Sequence, residues 1–205
     1  MGILSLFRKP SSEEAARFLV EHIVLASLLY RKELAHPDDQ RSADAGVEVA
    51  YLLLHLLDRE LFGRFGASRR EVLFDPIAQA VVARYTKAVL RPETPSDLLF
   101  DAAKQMQDTL NERQMTYAKC ESLLGDPFPG IGTMVFAFCF FVHRALGRTN
   151  RTDVDDILAG DKSKLSQADL SDFPDAEFVF RGAVWIGSIL KPLRLQDQAK
   201  YLGKR

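Results

Sequence analysis

Residues 131–146 read IGTMVFAFCFFVHRAL, and from Met134 to Val142 nine consecutive residues are apolar, four of them Phe. Few folds can accommodate such a run. It is well short of the roughly 20 apolar residues that a helix needs to cross a bilayer. It is too apolar all round to lie on a water-facing surface. At about 100° per residue, only Thr133, Ala137 and Arg144 share a narrow stripe fit to meet water. The run therefore predicts a central helix over 131–146 with other helices against most of its sides. The fold class that follows is all-α, a single-domain bundle of about six to seven helices spanning 1–205.

The rest of the chain supplies those helices. Ser11 or Ser12 can cap a first helix, with Glu13 and Glu14 in its first turn, ending near Ala35 ahead of Pro37. Ser42 is read as the cap of a second helix that runs to Phe62, where Gly63 and Gly66 break the pattern. On its wheel Asp44, Glu48, His55, Asp58 and Arg59 share one polar stripe, which reads as a water-facing side. Ser68 and Glu71 have capping-box spacing for a third helix to about Leu90, with a kink or break at Pro76.

Ser96 is read as the cap of a fourth helix reaching Leu124. Leu99, Ala103, Met106, Leu110, Arg113, Tyr117, Cys120 and Leu124 recur on it at alternating fours and threes. GDPFPG, 125–130, is a turn, so the fourth and fifth helices are expected to pair antiparallel. Thr152 and Asp155 can open a short sixth helix, and 160–173 reads as a polar loop. Pro174 suits the first position of a last substantial helix to Leu190. There FVF and AVWI also carry strand propensity, but no second strand is available to pair with them. Pro192 interrupts, and Leu195 to Leu202 form a terminal turn or two. Residues 1–10 read as a flexible tail.

Composition narrows the function classes. Apolar residues are 47% and charged residues 27%, with a net charge of −1. A neutral chain lacks the basic excess of a nucleic-acid or anionic-membrane binder. Arg64, Arg69 and Arg70 beside Phe62 and Phe65, and Arg148 with Arg151, are small clusters that read as solvated loops. MGILSLFRKP has neither the order of a secretory signal nor, with Leu6 at the required Ser/Thr position, a myristoylation pattern. A cytoplasmic protein without integral membrane association is the expectation. In an antiparallel hairpin Cys120 and Cys139 would be offset by about three residues, roughly 4–5 Å. A disulfide stays open on that geometry, and two buried thiols are the simpler reading.

The chemistry-bearing residues form no catalytic signature. Glu33 and His36 make one Glu-x-x-His, but a di-iron bundle needs two, and Leu19, Leu52 and Phe140 precede the other histidines. On the wheels His22 and His143 face apolar arcs while His55 points outward, so a three-histidine zinc site conflicts with the pattern. Gly130-x-Gly132-Thr133 at a helix start can offer amides to a phosphate, yet no Walker lysine follows, and close packing explains it. Asp153, Asp155, Asp156 and Asp161 lack EF-hand spacing. No metal and no cofactor are expected, and an enzyme is the less favoured class.

Arg113, one charge on an apolar seam, is the sharpest anomaly. A buried guanidinium needs a carboxylate or a ligand. Two functional expectations follow. The first is a non-catalytic helical protein acting through protein contacts or self-association. The second is a protein that binds a small anionic or apolar ligand in an interhelical pocket near Arg113 and Tyr117, with His143 as a further candidate. Length and helicity resemble one-domain regulators of the tetracycline-repressor type. The resemblance ends at size, because the first fifty residues carry no helix-turn-helix with a Gly-containing turn and little positive charge.

Overall fold

The computed structural model of the protein describes residues 9–34, 36–152, 154–161, 163 and 170–203. Residues 1–8 of the tail read over 1–10, residues 162 and 164–169 of the 160–173 loop, Ala35 and Asp153 lie outside them. The described chain is all-α: α1 (Ser12–Leu34), α2 (Asp39–Phe65), α3 (Ala67–Val89), α4 (Ser96–Lys119), α5 (Met134–Ala145), α6 (Asp155–Leu158), α7 (Ala176–Leu193) and α8 (Leu195–Leu202). None of these helices is long and apolar enough to cross a membrane. The run FVF…AVWI is helical, within α7.

Every residue from Met134 to Val142 is buried, including Ala137 at 0% exposure, so the water-facing stripe expected on this helix shrinks to Arg144. α5 packs chiefly on α2 and α7 and touches α4 little, so the antiparallel α4–α5 pair is a minor contact. The connector explains this. α4 ends at Lys119, not Leu124, and the chain then lies alongside the start of α5, with Ser122 and Thr133 forming a parallel bridge. Helix α5 begins at Met134 because Thr133 caps it, its hydroxyl accepting from Phe136 N at 3.2 Å. Met134 N donates to Ser122 O at 2.9 Å and Val135 N to Leu123 O at 3.2 Å. The first amides of a buried helix are thereby satisfied by the chain itself. They are not free for a phosphate, which removes the physical basis of the Gly130–Thr133 reading.

α2 is the hub, meeting α1, α3, α4, α5 and α8. Its cap is Asp38, whose carboxylate accepts from Arg41 N at 3.0 Å, while Ser42 is buried one turn inside. Gly46 lets α1 come close: a Cβ there would meet Ser27 O at 2.9 Å and Tyr85 Oη at 2.6 Å. Helix α2 passes through Gly63 and stops at Gly66, whose φ of 74° is left-handed. α3 starts immediately afterwards without a side-chain cap, so the Ser68–Glu71 box does not form. It also continues through Pro76 without a break. Pro76 and Val72, the residue four earlier, are both exposed to water in some degree, so the carbonyl that proline leaves unbonded faces solvent.

At the far side Gly182 of α7 abuts Cys139 of α5, where any Cβ would collide with Sγ. Ser12 Oγ donates to Leu202 O at 2.9 Å, joining the first and last helices. One cluster of buried residues draws on all eight of these helices, α6 through Leu158.

Phe138 is 0% exposed and its ring centroid lies 5.7 Å from that of Tyr30. Phe138→Ala is expected to cost about 3–5 kcal/mol in chemical denaturation, the usual range for a buried Phe. A loss below about 1 kcal/mol would show that α5 is not buried as described.

Candidate functional site

The charged member of the α4 seam decides where the site is. Met106, Leu110, Tyr117 and Cys120 are buried, and so is Arg113, at 6% exposure. Taking a guanidinium out of water costs several kcal/mol unless a carboxylate meets it in good geometry. Glu48 of α2 does so. Arg113 Nε donates to Glu48 Oε2 at 2.9 Å and Nη2 donates to Oε1 at 2.8 Å, a two-pronged pairing. Phe141 of α5 lies against the guanidinium, its ring centroid 3.7 Å from Cζ. Burial alone would lower the proton affinity of Arg113, but Glu48 outweighs it and holds the group above the ordinary arginine value. One ion pair thus joins α2, α4 and α5.

The pair borders a cleft of about 360 Å³ between α2, α3, α4 and α5. Val47, Val89, Met106 and Phe141 contribute apolar wall. Arg144 lines it too, in the last turn of α5, where the helix dipole favours a cation. Its guanidinium is half-buried, with Cζ 5.3 Å from the Phe141 centroid. It makes no hydrogen bond and no ion pair among the described residues. Burial lowers its proton affinity and the like charge of Arg113 lowers it further, while the carboxylates of Glu48, Asp155 and Glu112 act on it in the opposite sense without pairing with it. Asp44, one turn before Glu48, stands at the rim and accepts from Gln40 Nε2 at 2.8 Å. Its carboxyl is held above the usual range by partial burial, with a smaller contribution from the charge of Glu48.

The three residues singled out from sequence are not brought together. Arg113 is in the cleft wall. Tyr117 lies behind it at 0% exposure, edge-on to Phe141 at 5.9 Å, and its hydroxyl has no protein partner among the described residues. His143 is on another flank of α5, edge-on to Phe178 of α7 at 5.9 Å, and burial lowers its basicity.

His55 corrects the wheel. It is 2% exposed, not outward, with Nδ1 2.6 Å from the Gln114 side-chain amide. Burial lowers its basicity. His22 is half-buried instead, stacked on Phe18 with ring centroids 3.7 Å apart. Glu48 shares the polar stripe with His55, and the wheel misplaces both for one reason. α4 covers that stripe with polar partners of its own, Arg113 and Gln114. No group of three or more His, Cys, Asp or Glu among the described residues is placed to hold a metal.

Arg113→Met leaves Glu48 charged and unpaired in the interior, and is expected to cost roughly 3–5 kcal/mol at neutral pH. The loss should shrink toward acid, where the orphaned carboxylate takes a proton and sheds its charge. Replacing both residues with Met should recover most of the stability, as measured by denaturant titration at neutral and acid pH. A neutral effect of the single variant would show that the pair is not buried. No known protein family, curated protein or solved structure matches the chain, so the site has to be read from its own geometry.

Proposed function

We propose that this is a non-catalytic binding protein of the cytoplasm whose α2–α5 cleft takes a small organic molecule with one anionic group and an apolar body. Arg144 carries the reading. It is a half-buried guanidinium on a cleft wall that forms no ion pair among the described residues, with the like charge of Arg113 nearby and with Glu48, Asp155 and Glu112 acting on it only from beyond pairing distance. An anion seated against it would relieve that repulsion and supply the missing partner. Phe141 and the aliphatic walls would cover an apolar body. A volume of about 360 Å³ suits a small molecule, near the low end of ligand pockets. Asp44 at the rim and Glu48 inside disfavour a second negative charge, so a monoanion fits better than a dianion.

The state of the two cysteines disfavours thiol catalysis. Cys120 and Cys139 are free and buried, and burial pushes their thiols up to about 11 and about 12. Both are protonated and unreactive at neutral pH. Free buried thiols also suit a reducing compartment.

A panel of aliphatic and aromatic monocarboxylates, matched with dicarboxylates and with amines, tests this by thermal shift and calorimetry on the full chain. A monocarboxylate should stabilise the protein, and Arg144→Gln should weaken its binding by about tenfold or more, roughly 1.4 kcal/mol. No stabilisation by any acid, or binding indifferent to Arg144→Gln, would end the proposal.

A further inference from the structure

Helix α7 turns one stripe outward. Advancing about 100° per residue, Glu177, Phe180, Arg181, Val184, Gly187, Ser188 and Lys191 fall within one third of its circumference, and all are exposed. The opposite side, with Val179, Gly182 and Ile186, is buried. The stripe is apolar at its middle, with Phe180 and Val184 55% and 57% exposed. Phe128, from the connector before α5, extends it by stacking on Phe180, ring centroids 6.3 Å apart and planes 7° from parallel. At Gly187 a Cβ would meet no atom of the described residues within 4 Å, so the backbone there stands open to close approach.

The order of residues along the stripe is self-complementary in one direction only. Glu177 and Lys191 lie two turns on either side of Val184. Laid antiparallel on a second copy about Val184, each Glu177 comes opposite Lys191. Phe180 then falls over Gly187 and Ser188, the small residues of the stripe. A parallel arrangement would instead set Glu177, Arg181 and Lys191 each against its own like charge. We propose that α7 pairs antiparallel with α7 of a second copy of this chain, about a two-fold axis through Val184. A two-fold interface requires such a self-matching patch. This inference is independent of the cleft.

Sedimentation velocity on the full chain between about 1 and 100 μM, in low salt, tests it. The chain should dimerise, and Phe180→Asp should leave it monomeric with unchanged helicity by circular dichroism. Glu177→Lys and Lys191→Glu should each weaken the dimer by about tenfold or more, since symmetry places every reversed charge against a like one twice. Mixing these two variants should restore association as a one-to-one heterodimer. In that mixture the two reversed charges face each other across the axis, and the two unchanged ones do the same, so both contacts again join opposite signs. A chain that stays monomeric throughout would overturn the proposal. So would a dimer indifferent to Phe180→Asp, or charge variants that fail to rescue one another.

Discussion

A helix with almost no polar face can be placed only where protein lies in nearly every direction. In α5 that constraint falls on a stretch of twelve residues, Met134–Ala145, of which the first nine are all buried. Its backbone has to be satisfied without water at the buried end. The connector supplies the Ser122 and Leu123 carbonyls and the Thr133 hydroxyl for three successive amides. Burying the helix therefore dictates the path of the chain before it, ending α4 early and bringing residues 120–133 back beside Met134. The same demand shapes the next contact, where Gly182 allows α7 to close on Cys139.

Arg113 and Glu48 lie at the edge of this core. Two opposite charges in good geometry can be tolerated inside a bundle, although they add little net stability. They do restrict which alignment of α2 and α4 is allowed, since sliding either helix by a turn would bury two lone charges. Phe141 ties the pair to α5, and Arg144 continues the cationic side one turn on. The cleft lies where this charged seam comes to the surface between four helices. Its polarity thus arises from groups that hold the bundle in register. That makes a binding reading for the cleft economical, because the ligand would use charge already fixed by folding.

Helix identity was legible wherever a long apolar period or a capping residue stood alone. α1, α5 and α8 lie within a few residues of the positions read from the pattern. Two helix starts fell earlier than the capping residue read from the pattern. Asp38 displaced Ser42 because a helix begun at Asp39 lets Ser42 be buried within it. Gly66 displaced Ser68 because its left-handed φ already turns the chain from α2 into α3. Pro76 was tolerated because its defect faces water.

What the sequence determined by itself was an all-α fold, a buried Phe-rich helix, and a charge at 113 that needed a partner. Those are local properties: periodicity, chain-long composition, and the cost of an unpaired ion. Which carboxylate answers Arg113 was settled only by tertiary packing. The wheel placed Glu48 and His55 on a polar stripe facing water, yet both are buried because α4 lays Arg113 and Gln114 against them. A helical wheel reports the polarity of a face but not what covers it. When two polar stripes cover each other, each looks exposed in isolation, and only the packed structure shows that they have excluded the water between them.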